Sequence, residues 1–196
     1  IRLLCDQPQS QFAIDADERN VLEDNLFYMT PQQQSTLAEM EVELPSGYVF
    51  KDVSNDEQVR AIHERWTYSA TSPVDITKQR LSLLPHVVVK EQETDKPVGW
   101  ELFHNMGMFT HLHVLPEFRG RGLGVATEME MARRCVKRGL HPVKYVARDN
   151  TPVLEGSMRH PLWSVWKRDG VPVEWTFTVL RLRSEVEPRD VDLTLI

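Results

Sequence analysis

The sequence predicts an α/β fold, a mixed sheet with helices on both faces, and three observations carry that prediction. From residue 47 onward, strand-like and helix-like runs follow one another in the order β-α-α-β-β-β-α-β-α-β-β. The clearest strand, ending near Leu115, feeds a loop with glycine at positions 120, 122 and 124, and that loop opens directly into the strongest helical stretch. The 196 residues are 41% hydrophobic and 27% charged, a balance that suits one domain of about 150 residues with an extension.

Residues 1–45 read as that extension. They are acidic at 15–24, then carry Pro31 followed by three glutamines, then a helical stretch ending at Leu44-Pro45. The chain opens Ile-Arg-Leu-Leu-Cys without a methionine, so it is expected to be a fragment. Residues 46–196 form the expected main domain. Gly47-Tyr-Val-Phe-Lys-Asp52 is its first strand. Asn55 or Asp56 caps a helix expected through about Ser69, with Val59, Ile62 and Trp66 along one face. A second helix covers 74–84 and stops before Pro85. His86-Val-Val-Val-Lys-Glu91 is a strand by its β-branched run, Thr94-Asp-Lys-Pro97 turns the chain, and Val98 to His104 returns as the hairpin partner. Met108 to Leu115 is the strand before the glycine loop. Leu123 to Arg138 is the long helix, closed by Gly139, with Val125, Met129, Ala132 and Val136 expected on its core face. Val143 to Arg148 is the next strand, and Asp149-Asn-Thr-Pro152 starts a short helix with proline in its first turn. Val165 to Arg168 and Val173 to Leu182 are expected to form a last hairpin around Asp169-Gly170.

Composition excludes several function classes. A net charge of −6 argues against a general nucleic-acid surface, so any anion must be bound locally. No apolar run approaches the roughly 20 residues that a membrane span needs. The two cysteines, Cys5 and Cys135, are far apart and lack metal-ligand spacing, which reads as free thiols in a reducing compartment. No metal site is expected. His111-x-His113 supplies two ligands without an evident third.

The loop itself is a seat for an anion, most naturally a pyrophosphate. Glycine lets backbone N–H groups turn inward and approach a ligand without a side chain in the way. A helix that opens directly behind such a loop aims its free N–H groups and positive dipole end at the same point. Arg119 and Arg121 add fixed charge, Arg119 in the better position for phosphate contact.

Arg119-x-x-Gly122-x-Gly124, between a strand ending in Val114 and a long helix, resembles the GNAT superfamily of CoA-dependent N-acyltransferases. Pro116-Glu-Phe-Arg-Gly120, then Gly139-Leu-His-Pro-Val-Lys-Tyr-Val146, then Asp149-Asn150, is similar to the glycine N-acyltransferase branch, as are Trp66 and Pro97-Val-Gly-Trp-Glu-Leu102. The similarity covers roughly residues 48–180. It implies a mixed, mostly antiparallel central sheet flanked by helices, with acyl-CoA (acetyl-CoA or a longer relative) as cosubstrate. It also implies that backbone groups of Leu112, His113 and Val114 pair with the pantetheine arm, that the pyrophosphate sits on the amides from Arg119 through Gly120, Arg121, Gly122 and Leu123 to Gly124, and that Asn150 meets the CoA chain. The resemblance implies the mitochondrion or cytoplasm as compartment, and it implies that residues 1–45 are the tail of a truncated N-terminal region.

The chain departs from that pattern at two positions. Many relatives place a glutamate as general base where this sequence has Met108, and a tyrosine that protonates the departing thiolate where it has Ser157. His111 and His113 are the candidates for the missing base, since imidazole titrates near neutral pH. In a regular strand they share one face, opposite Met108, Thr110, Leu112 and Val114; a bulge would change that facing. Glu101 and His104, on the neighbouring strand, are further candidates, with a solvated hairpin face as their ordinary alternative. Glu117 reads as a loop cap or an arginine partner. The five tryptophans read as core or hairpin aromatics, with Trp66 and Tyr68 also placed to wall an acyl or acceptor pocket. Three functions follow: transfer of an acyl group from acyl-CoA to a small amine such as glycine or another amino acid, an acyl-CoA-binding module without turnover, or acetylation of a protein amine.

Overall fold

A computed structural model describes residues 12–14, 21–178 and 180–182. In chain order the elements are β1 (Phe12–Ile14), β2 (Val21–Tyr28), α1 (Pro31–Glu39), β3 (Tyr48–Phe50), α2 (Asp56–His63), α3 (Val74–Leu83), β4 (His86–Glu91), β5 (Pro97–Phe103), β6 (Phe109–Val114), a 3-10 turn (Pro116–Phe118), α4 (Leu123–Lys137), β7 (Val143–Ala147), α5 (Thr151–Arg159), β8 (Ser164–Val165), β9 (Lys167–Arg168), β10 (Val171–Pro172), β11 (Glu174–Thr178) and β12 (Leu180–Leu182). From β3 to α5 this is the expected order. No described helix is long and apolar enough to cross a membrane.

The chain divides into two compact units. Among the described residues, 27–145 and 159–164 form the larger unit, and those of 12–26, 146–158 and 165–182 form the other. In the larger unit β3, β4, β5 and β6 pair antiparallel in that order, and β7 joins β6 in parallel. Side chains alternate across this sheet. Val88, Trp100 and Leu102 pack with Val59 and Ile62 of α2 and Leu81 of α3 in one buried cluster. α4 lies over β4 and β5.

Local chemistry accounts for two of the helix starts. The Asn55 side chain accepts a hydrogen bond from the Gln58 amide at 2.9 Å, with Asp56 and Glu57 in the first turn of α2. Thr30 and Gln33 cap each other's backbone ahead of α1, with Pro31 in its first turn. α2 ends at His63 rather than near Ser69. The chain leaves it through tight turns in which the Arg65 and Trp66 amides donate to Ile62 and His63 carbonyls three residues back. On α4 the buried set runs through Leu123, Thr127, Met131 and Cys135 with Met129 and Ala132, whereas Val125, expected in the core, is 57% exposed.

In the other unit, β2 pairs antiparallel with β11, Asp24 opposite Trp175, and β1 pairs with β12. The acidic stretch expected to be an extension therefore holds a strand. β9 and β10 form the hairpin, turned at Asp169 and Gly170, both with positive φ, at 52° and 81°. Its arms are shorter than expected, because Glu174 to Thr178 pairs with β2 instead. Arg148 joins Glu23 at 3.1 Å and Glu174 at 2.8 Å within this unit. Cys135 is a free, buried thiol that burial pushes up to about 12, and Cys5 lies outside the described residues.

Candidate functional site

The glycine loop has the backbone that its sequence requires. Gly120 and Gly122 sit at φ 73° and 79°, the left-handed region that favours glycine, and Gly122 is the residue before α4. No side chain caps α4 and its first turn holds no acidic residue, so the leading amides have no partner from a cap. A Cβ built on Gly120 or Gly122 would meet no heavy atom within 4 Å. These glycines therefore serve backbone conformation and leave open space in front of the helix.

The two loop arginines are held by the protein. Arg119 Nε donates to the Val114 carbonyl at 3.0 Å, folding that side chain back over the end of β6. Arg121 donates to the Tyr48 hydroxyl at 2.6 Å and to the Glu117 carbonyl at 3.0 Å, over the Phe118 ring. Glu117 pairs with Lys96 at 3.4 Å rather than with an arginine. The charge of both arginines thus stays fixed beside the seat.

β6 is irregular, and the irregularity re-aims its histidines. Trp100 lies opposite His113 and Leu102 opposite Thr110, so β6 holds one residue more than β5 across this interval. His111 takes the strain, at φ 59°. On its other side β6 registers with β7 at Phe109–Lys144 alone among the described residues. The edge of β6 from Thr110 to Val114 has no strand partner there.

Around the bulge an aromatic and basic cluster forms. The Trp100 ring stacks on His113 at 5.0 Å between centroids, and its indole N–H donates to His111 Nε2 at 3.2 Å. Trp66 stacks on His111 at 6.2 Å, edge-on to Tyr68 at 5.5 Å, with the Arg80 guanidinium 4.6 Å over its ring. His63 contributes from α2, bonded to Thr77 Oγ1 at 2.9 Å. Three polar atoms here are buried without a hydrogen-bond partner: His111 Nδ1, His113 Nε2 and Arg80 Nη1.

Burial and neighbouring cations lower the proton affinity of His111 and His113. Burial, then the His113 ring, pulls His111 down to about 4, although the Arg65 backbone lies near enough to oppose the drop. Burial and then Arg119 lower His113, and burial and then Arg80 lower His104. The Trp100 bond takes the lone pair of Nε2, so neutral His111 carries its proton on Nδ1 and presents a donor. His113, with Nε2 unpartnered, is the imidazole able to receive a proton.

The remaining expected residues fall elsewhere. Glu101 is 2% exposed and points away from the histidines, toward Glu128 of α4 and Lys144 of β7. It is not on a solvated hairpin face. His104 Nδ1 accepts the Met106 amide in the β5–β6 turn, where the Met108 carbonyl also accepts the His104 amide. Asn150 precedes α5 in the other unit, and Ser157 is buried within that helix. Among the described residues no group of three His, Cys, Asp or Glu side chains could hold a metal ion. Arg80 was legible only as an arginine on the apolar face of α3, spaced with Thr77 and Leu81, a pattern that the sequence reading passed over.

Residues 88–155 match the family model of FR47-like proteins, a span that contains β5, β6, the glycine loop and α4. No curated protein sequence matches the chain. Three solved structures are similar to it. A Drosophila protein aligns with TM-score 0.66 at 16% identity, covering 81% of this chain and 51% of its own. A GNAT-family protein from Novosphingobium aromaticivorans aligns with TM-score 0.56 at 13% identity, covering 88% and 68%. A GNAT-family acetyltransferase from Colwellia psychrerythraea aligns with TM-score 0.53 at 12% identity, covering 85% and 63%. The fold is that of GNAT acetyltransferases: mixed α/β, with a mostly antiparallel sheet flanked by helices. The chain spans about half the length of the Drosophila protein.

Proposed function

We propose that this chain is an acyl-CoA-dependent N-acyltransferase that moves an acetyl or longer acyl group to the amine of a small acceptor such as glycine or another amino acid. The observation that carries the reading is the uncapped start of α4 behind two left-handed glycines, beside the unpaired edge of β6. The residues present suit CoA. The amides from Arg119 to Gly124 would receive the pyrophosphate, with Arg119 and Arg121 as fixed charge. Backbone groups of Leu112 and His113 would pair with the pantetheine arm as an added strand. The Val114 carbonyl already accepts from Arg119, so that residue contributes its amide side at most. Asn150 would meet the CoA chain, as the resemblance implies.

The reaction is direct attack in a ternary complex. The acceptor nitrogen adds to the thioester carbonyl, the C–N bond forms, and collapse breaks the C–S bond to release CoA thiolate. The nitrogen loses its proton to His113 Nε2, while the Nδ1–H of His111, which has no partner in the protein, would be the donor left for the substrate. CoA thiolate is a fair leaving group, so Ser157 in place of a tyrosine costs the mechanism little.

Free-thiol release tests the reading: acetyl-, butyryl- and benzoyl-CoA are each offered with a panel of amino acids and simple amines. Acceptor-dependent release supports it. CoA binding without release above background would instead support the second reading, a binding module, which Met108 at the usual base position favours. Release only with protein amines would make the acceptor macromolecular.

A further inference from the structure

We propose that Arg80 anchors a carboxylate carried by the substrate, which makes it a specificity-determining residue of the site; the proposal rests on the acyltransferase reading above. Arg80 is only 8% exposed, Nη1 has no hydrogen-bond partner, and among the described residues no carboxylate pairs with it. Several other arginines among the described residues have partners. Arg133 and Arg134 hold Glu130 at 2.7 and 2.9 Å, Arg148 holds two glutamates, and Arg121 is fixed by a hydroxyl and a carbonyl. A buried charge without a counter-ion is unfavourable, and folded proteins retain one where something else completes it.

The guanidinium is also oriented. Its carbon lies 4.6 Å over the Trp66 ring, which fixes the plane of the fork, and Trp66 stacks in turn on His111. Through Trp66 the guanidinium neighbours His111 of the bulge, whose proton affinity its charge also lowers. A planar fork with a free N–H beside the neutral His111 ring is matched to a carboxylate, which such a fork takes in two parallel hydrogen bonds. In an α-amino acid one carbon separates carboxylate from amine, so gripping the first positions the second. The same chemistry serves an acyl group that ends in a carboxylate, as in succinyl-CoA.

Binding is measured first, without turnover. Quenching of tryptophan fluorescence is followed, with CoA present, as N-acetylglycine or its uncharged amide N-acetylglycinamide is titrated. Wild type is expected to bind the acid at least tenfold more tightly than the amide. Arg80→Met should abolish that preference, and Arg80→Lys, which keeps charge without the fork, should retain part of it. Equal binding of acid and amide by wild type, absence of binding by either, or an unchanged preference in Arg80→Met overturns the proposal. The wild-type ratio decides even if the methionine variant does not fold. Turnover then locates the carboxylate. A fall of about 100-fold or more in kcat/KM for glycine with acetyl-CoA, but not for ethylamine, assigns it to the acceptor. A fall confined to succinyl-CoA against butyryl-CoA assigns it to the acyl group, and equal falls in all four overturn the proposal. Absence of thiol release from wild type would sink the acyltransferase reading while the binding ratio still decides the role of Arg80.

Discussion

A histidine acts as a base through an uncommitted ring lone pair, and His111 has none. Its Nε2 accepts the Trp100 indole N–H, which leaves Nδ1 as the protonated nitrogen of the neutral ring. His113 stacks flat on the same indole and keeps Nε2 free. The sequence could present both residues as equals, because their difference arises from a bulge that no local pattern announces. The pH dependence should separate them. His113 is lowered from the ordinary imidazole value by burial, and only its neutral form accepts a proton. The acid limb of kcat/KM should therefore lie below about pH 6.5, with activity lost as pH falls through it. His113→Ala should lower kcat by about 10²–10⁴-fold and remove the limb. His111→Ala should leave the limb in place and instead destabilise the fold by about 1–3 kcal/mol, because it strands a buried indole N–H. A limb that persists in His113→Ala would return that ring to a packing role.

Among the elements, the start of α4 differs from the starts of α1 and α2. α1 and α2 begin under capping side chains, and α4 begins under a left-handed glycine with none. This much was legible, because helix caps, glycine spacing and a helix start are local properties of the chain. The register of β6 was not, since a bulge is a relation between strands. β2 escaped for a related reason: its acidic residues read as solvated, and its partner β11 lies about 150 residues away in the sequence. If the uncapped amides hold the pyrophosphate, Arg119→Ala combined with Gly122→Val should abolish the rise in melting temperature that CoA produces. Valine at φ 79° is strained, so the double variant should also melt earlier without ligand. Asn55→Ala is the control. It removes the cap of α2, should cost about 1 kcal/mol, and should leave the CoA-induced rise unchanged. A rise that survives the double change would move the pyrophosphate elsewhere.

For the molecule as a whole, the histidine cluster is paired with a second buried polar group on the opposite face of the same sheet. Glu101 lies there against Glu128 and Cys135 of α4 and Lys144 of β7, with one oxygen unpartnered. Glu128 is already engaged, accepting from Lys144 and from the Trp163 indole at 2.8 Å. A second carboxylate charge would find no counter-ion of its own. Burial, then repulsion from Glu128, accordingly raises Glu101 well above the usual carboxylate range. The sequence showed a glutamate in a hairpin; only the packing of α4 over β5 reveals that this face is dry. The sign of the consequence is fixed. A carboxyl whose folded pKa is raised holds its full stabilising effect below the unfolded value and loses it as pH rises through the folded one. Glu101→Gln keeps the shape and cannot ionise. Its stability relative to wild type should therefore be near zero or slightly negative at pH 4.5 and grow by about 1–3 kcal/mol as pH rises toward 9, read from urea denaturation across that range. Parallel stability curves for the two proteins would mean that Glu101 carries its charge into the core after all, compensated by Lys144.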